Sequence, residues 1–132
     1  MKKYPMISKF CMHLNEFYGF KDKNYKIVAP ENAGDIIEEG RVLHHCVGGE
    51  GYLNKHNTQR SFILFMRKVS EPTERYYTIE VDSRDNRIIQ YYGAYDKKPD
   101  QEQVDIFLNK WKRHIAREVE HGYSGISELC AV

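Results

Sequence analysis

Residues 44–46 read His-His-Cys, two imidazoles and a thiol in succession. Such groups suit proton transfer, metal ligation or nucleophilic attack, because their ionisation falls near neutral pH. Adjacent side chains do not converge on one point, however. On a strand His44 and Cys46 share a face with His45 opposite, and on a helix successive side chains diverge by about 100°. A site built on them needs groups from elsewhere in the chain. The candidates are Glu80 and Gln90, with Tyr77, Thr78 and Tyr92 nearby in sequence and His56 or Ser61 closer to the cluster.

Three chemistries are open to this set. Two nitrogens, or one nitrogen and one sulfur, with a carboxylate would form a ligand set for a divalent metal such as zinc, although the spacing matches no standard ligand motif. Without a metal, one imidazole would serve as acid or base, Glu80 would orient it, and Gln90 or Tyr92 would hold a substrate oxygen. Cys46 would act as a nucleophile only if a neighbouring imidazolium held it as thiolate. A purely structural alternative stands beside them. In it Cys46 and one histidine pack in the core, the other histidine bonds a carbonyl, and Glu80 pairs with Arg67 or Lys68.

The elements around the cluster must position it. Val42, Leu43 and Val47 flank it while Gly48, Gly49 and Gly51 loosen the backbone, which places it beside a bend. Residues 52–56 add a helical turn before the polar connection at 57–60. Residues 61–68 are apolar on both alternating faces, the pattern of a central strand covered on both sides. Residues 76–82 alternate, with Tyr77, Ile79 and Val81 on one face and Tyr76, Thr78 and Glu80 on the other. A turn near Asp85-Asn86 then leads to a strand over about 87–95 and favours an antiparallel hairpin. A three-residue loop would set Glu80 opposite Gln90 and a two-residue loop would set it opposite Tyr91.

Outside this centre, Met6, Phe10, Leu14 and Phe17 predict a helix over 6–18 closed by Gly19. A short strand over 25–29 ends at Pro30, and a helix over 31–39 has Gly40 as its stop. Asp100 as N-cap, with Gln103 reaching back, predicts a last helix whose buried stripe is Val104, Phe107, Leu108, Trp111, Ile115 and Val119, with Gly122 as terminator. Beyond Tyr123 a loose tail is expected. The expected fold is α+β: a small antiparallel sheet of about three to four strands packed against N-terminal, central and C-terminal helices. One domain over 1–132 is expected, with a core over about 25–121.

Charge restricts the partners. With 20 basic and 19 acidic residues the formal charge is +1, so no global field draws the chain to nucleic acid or an anionic membrane. Contact with nucleic acid needs a local patch. Lys110, Arg113, His114 and Arg117 offer one at helical spacing, although Glu118 and Glu120 beside it also suit a plain solvated face. Tyr91, Tyr92 and Tyr95 suit base stacking or sheet packing. The three cysteines, Cys11, Cys46 and Cys130, are odd in number and widely spaced, which argues for a reducing compartment. The N-terminus lacks an apolar core and cleavage site, and no run approaches the roughly 18 to 20 apolar residues of a membrane span. A cytoplasmic protein with no membrane partner is expected.

The order of motifs carries a resemblance: EEGRVLHHCVGG, then SFILFMRK, YYTIEV and IIQYYG, then a helix containing FLNKW. Together they resemble the PcfJ-like family of conjugative plasmids, phages and related elements, over about Tyr25 to Trp111. The positions matching the family pattern are Leu43, His44, His45, Cys46, Val47, Gly48, Tyr52, Arg67, Tyr77, Thr78, Glu80, Gln90 and Gly93. Where such proteins often have an asparagine after Gly93, this chain has Tyr95-Asp96. Relatives are commonly longer, with this module near the C-terminus. The resemblance implies a mobile-element setting in transfer, nucleic-acid processing or host conflict, and no particular reaction. The expected site has His44, His45, Cys46, Glu80 and Gln90 as its reactive set and Tyr52, Arg67, Tyr77, Thr78 and Tyr92 as substrate contacts. Two functions follow as expectations: an accessory protein acting on nucleic acid or nucleotides, or a non-enzymatic inhibitor that masks a host protein in counter-defence.

Overall fold

The computed structural model describes residues 3–121. The expected stop at Gly122, Cys130 and the tail lie outside the described residues. Helix α1 (Met6–Tyr18) leads into strands β1 (Phe20–Lys21) and β2 (Tyr25–Val28). Helices α2 (Ala33–Leu43) and α3 (Glu50–Asn57) follow, separated by a 3₁₀ turn over Cys46–Gly48. Strands β3 (Ser61–Lys68), β4 (Tyr77–Asp82) and β5 (Ile88–Tyr92) complete the sheet, and α4 (Gln101–Glu120) closes the described chain. The fold is α+β.

The strands lie in chain order, β1-β2-β3-β4-β5, all antiparallel. That is five strands, against the three to four expected. Two-residue β1 is too short to leave a periodic signal, and only its pairing with β2, Phe20 with Ile27 and Lys21 with Lys26, defines it. Central β3 is buried along nearly its whole length because both of its faces are covered. One face, with Leu64, Met66 and Ile79, packs against Phe10 and Leu14 of α1 and Phe107 and Trp111 of α4. On the other face Ile63 and Phe65 meet Ile36 of α2, Leu53 of α3, Val47 of the turn and Ile7 of α1.

The helix ends depart from expectation in informative ways. Asn32 caps α2 by accepting the Asp35 N–H at 3.0 Å, and the helix runs past Gly40 to Leu43. It is His44, left-handed at φ 55°, that ends it. Asp100 precedes α4 but caps nothing, because its carboxylate accepts the Tyr76 hydroxyl at 2.6 Å instead; the capping box with Gln103 does not form. Val119 is half exposed, since the last turn of α4 carries it off the buried stripe. No helix among the described residues is long and apolar enough to cross a membrane.

Candidate functional site

The site begins at the end of α2. Once His44 turns left-handed, the His45 N–H also bonds the Gly40 carbonyl, at 3.1 Å, and the chain doubles back as the 3₁₀ turn. Two glycines let that turn lie directly on the helix. A Cβ on Gly40 would stand 2.8 Å from the Gly48 nitrogen, and one on Gly48 would stand 3.1 Å from the Ile37 Cα. Gly40 is thus a point of close approach inside the helix and not its stop.

This geometry separates the two histidines. The His44 ring stacks on Tyr95, centroids 4.5 Å apart and 7° from parallel, while His45 reaches the sheet. His45 Nε2 lies 2.9 Å from Thr78 Oγ1, and the Thr78 hydroxyl donates to Glu39 Oε2 at 2.7 Å. Glu39 is fully buried beneath them. Arg67 holds it from one side through both terminal nitrogens, and Arg75 Nε lies 3.3 Å from Oε1, close enough to pair in charge although off line for a hydrogen bond.

Hydrogen-bond capacity then fixes the His45 tautomer. A threonine hydroxyl has one proton, and a carboxylate between two guanidiniums is an acceptor. Thr78 therefore gives its proton to Glu39 and accepts from His45, which must carry its proton on Nε2. The other nitrogen agrees, since His45 Nδ1 accepts the Val47 N–H over a long 3.4 Å. Both ring nitrogens are engaged, and neither offers a free lone pair to a substrate proton.

The second half of the site comes from the hairpin. Glu80 pairs with Gln90, the register a three-residue loop would give, but the route differs. The turn spans 83–86 between Asp82 and Arg87, whose backbones bond at 2.9 Å, and Ile89 is bulged because Val81 pairs with Ile88. Without the bulge Ile88 and Gln90 would share a face. With it, Ile88 packs on the core beneath α4 while Gln90 joins Glu80 on the opposite face. Glu80, nearly fully buried, accepts from Ser61 Oγ at 2.6 Å on one oxygen and from Gln90 Nε2 at 2.9 Å on the other. Because a carboxylate accepts only, this bond also settles which end of the Gln90 amide is nitrogen. The second amide proton goes to the Tyr52 hydroxyl oxygen at 3.1 Å.

Between the two halves lies a cleft of about 270 Å³. His45, Cys46, Tyr52, Thr78, Gln90 and Tyr92 line it with Glu80, the apolar Val47 and Ile63, and Asp96. Seven of the ten expected site residues therefore come together. Three do not. His44 is held on Tyr95. Arg67 is buried behind Thr78 as the partner of Glu39. Tyr77, next in chain to Thr78, faces the other side of the sheet, where it is fully buried and its hydroxyl donates to the Pro99 carbonyl at 2.6 Å.

The structural alternative also needs correction. Cys46 is exposed and not in the core, and Glu80 pairs with neither Arg67 nor Lys68. His56 is the histidine that fills the core role. It is fully buried, accepts the Ile63 N–H at 2.9 Å, and burial lowers its pKa to about 3. Among the described residues no group of three His, Cys, Asp or Glu is placed to hold a metal ion. Of the donors that a zinc-like set would use, His45 is turned onto Thr78 and Glu80 onto Ser61 and Gln90, while His44 stacks on Tyr95 and the Cys46 thiol is exposed. On α4, Lys110 pairs with Asp22 at 3.5 Å and His114 stacks on Phe20, which leaves Arg113 and Arg117 as the open part of the basic strip. That helix covers the face of the sheet away from the cleft.

The model of the PcfJ-like protein family matches residues 7–108. The chain belongs to the PcfJ-like family. Every residue lining the cleft falls inside the matched span. An uncharacterized protein of Listeria innocua serovar 6a is 32% identical over 92 residues, which cover 70% of this chain and 20% of that protein. The chain thus spans about a fifth of the length of that relative. No solved structure matches.

Glu39 is the member of this PcfJ-like site that residue type alone conceals, because a glutamate in a helix usually reads as solvated. The signal is its phase. Ala33, Ile36, Gly40 and Leu43 make the buried stripe of α2, and Glu39 sits on it. The chemistry left over is selective. Glu39, Thr78, His45 and Glu80 are bonded to one another or to other protein groups. The Cys46 thiol, the Tyr52 hydroxyl proton, Gln90 Oε1 and the Asp96 carboxylate have no hydrogen-bond partner among the described residues.

Proposed function

We propose that the cleft binds a nucleotide, or an exposed base of a nucleic acid, and that the chain serves as an accessory protein of a mobile genetic element. One observation carries the binding reading: His45 and Glu80 are already bonded, so what faces a ligand is an acceptor at Gln90, a donor at Tyr52 and two aromatic side chains, Tyr52 and Tyr92, together with the Cys46 thiol and the Asp96 carboxylate. Such a lining recognises a planar polar ring by its edge and its faces. At about 270 Å³ the cleft lies near the small end of ligand sites, a size suited to one ring and not to a folded peptide. The mobile-element setting rests on the family resemblance. In this reading His45 is a positioning residue, held by Thr78 and Glu39, that shapes the wall beside Cys46.

The test is direct titration of the purified chain with the common nucleosides, nucleotides and short single-stranded oligonucleotides, followed by calorimetry or fluorescence. Gln90→Leu also costs Glu80 one of its two hydrogen bonds, so its affinity is measured well below its own melting temperature; binding that weakens by roughly tenfold or more in the folded variant supports the reading. Absence of binding to every member of the panel overturns it. Stoichiometric capture of a host protein, unaffected by Gln90→Leu, would favour the counter-defence function in its place.

A further inference from the structure

Glu80 lines a second cleft as well. This cleft, of about 450 Å³, lies beyond the C-terminal end of α3 and includes Lys55, Arg60, Asp82, Ser83, Arg84 and the bulged Ile89. Two side chains join it to the first cleft. Glu80 borders both, and Lys55, which lines the second, holds its Nζ 5.6 Å above the ring of Tyr52, which lines the first. A ligand seated on Tyr52 therefore meets Lys55 at its edge.

The charges around this second cleft are unevenly matched. Arg84 is committed to Asp82 through Nε at 3.2 Å and a terminal nitrogen at 3.0 Å, and Arg87 approaches the same carboxylate at 3.7 Å. Asp82 is thereby neutralised. Glu80, the other acid, is nearly fully buried with both oxygens capped by Ser61 and Gln90. Lys55 and Arg60 remain, both exposed, with no carboxylate partner among the described residues. Two unpaired cations beside a cleft that presents aromatic faces and a hydrogen-bonding edge form the arrangement that a ring-bearing phosphate ester requires.

We propose that Lys55 and Arg60 form a phosphate subsite, so that the two clefts together take one nucleotide unit, with its base against Tyr52 and Gln90 and its phosphate between the two cations. This rests on the reading of the first cleft as a base site. The same chemistry is offered by a free nucleotide and by one unit of a single-stranded nucleic acid.

The experiment compares a nucleoside, its monophosphate and a single-stranded oligonucleotide of the same base, bound to the full chain at low and moderate salt. The monophosphate is expected to bind roughly tenfold tighter than the nucleoside at low salt, and Lys55→Gln with Arg60→Gln should erase that advantage while nucleoside affinity stays. Both residues are exposed, so the variant should melt as the parent does. With the oligonucleotide, the slope of log affinity on log salt should lose about 0.7 per phosphate contact removed. An oligonucleotide much tighter than the monophosphate identifies a strand as the ligand, and equal affinities identify the free nucleotide; both support the subsite. Equal binding of nucleoside and monophosphate by the parent chain overturns the phosphate subsite and leaves the base cleft standing. If neither binds, both proposals fall. A monophosphate that keeps its full affinity in Gln90→Leu would sever the link between the two clefts and overturn the joint site.

Discussion

Thr78→Val removes one oxygen from the centre of the relay and leaves its shape almost unchanged. The hydroxyl makes two hydrogen bonds, 2.9 Å to His45 Nε2 and 2.7 Å to Glu39 Oε2, at a residue that is 7% exposed. Glu39 keeps both arginines, so its loss is that of one ordinary bond, about 1 kcal/mol. His45 loses its Nε2 partner as well, but it is half-buried on the cleft, where solvent replaces part of that bond, so its loss is about 1 kcal/mol or less. The sum is about 1–2 kcal/mol, which for a chain of this size lowers the melting temperature by on the order of 5 °C. Thr78→Ser keeps the hydroxyl and should recover most of the loss. The discriminating assay is nitrogen-resolved NMR of the histidine rings near neutral pH. In the parent His45 should be the Nε2–H tautomer, in Thr78→Val it should become a mixture, and in Thr78→Ser it should return. A parent His45 carrying its proton on Nδ1 would refute the reasoning, since Thr78 would then be donating to the ring and not to Glu39.

Three further outcomes follow from the same geometry. His56 titrates near 3 in the folded chain against 6.5 when exposed, so the unfolded chain takes up a proton that the folded chain does not. Its contribution is complete above pH 6.5 and is lost as pH falls toward 3, by about 2 kcal/mol at pH 5. Urea unfolding across pH 4–7 should therefore show a shallower pH slope in His56→Gln, and identical slopes would rule the burial argument out. Gly40→Ala gains about 1 kcal/mol of helix propensity but drives its Cβ to 2.8 Å from the Gly48 backbone. Net destabilisation of about 1–2 kcal/mol with weakened ligand binding is expected, and a more stable variant would mean that the turn is not seated on α2. Tyr77→Phe forfeits the bond to the Pro99 carbonyl, about 1 kcal/mol by denaturation, and leaves ligand affinity unchanged because its ring lies across the sheet from the cleft; selective loss of binding would overturn that placement.

Long periodic segments were legible in the sequence because their burial is set by one repeating face. The stripes of α1 and α4 and the doubly apolar β3 are of this kind, and the core they form follows the pattern closely. Where a single polar contact decides, the pattern is silent. Asp100 has the residue type of an N-cap, yet the Tyr76 hydroxyl brought beside it by β4 claims its carboxylate. Gly40 has the residue type of a helix stop, yet the nearby turn needs it for clearance. In both cases a segment outside the helix overrides the local preference.

The cleft divides along the same line. Its members on β4 and β5 could be placed on one face from alternation alone, provided the register was known. The register depended on a bulge at Ile89 that no residue type announces. Alternation also placed Tyr77 opposite Thr78 and Glu80, and in the structure Tyr77 lies in the core across the sheet from the cleft that the other two line. Glu39 needed a different kind of evidence. A carboxylate on the buried stripe of a helix must be matched by a cation, and Arg67 on the almost wholly buried β3 posed the complementary problem 28 residues away. Neither residue is informative alone, but two charges that cannot both remain in the core unpaired imply each other. That pairing is what holds Thr78 against His45. The shape of the cleft wall is therefore set by an ion pair that is not itself part of the lining.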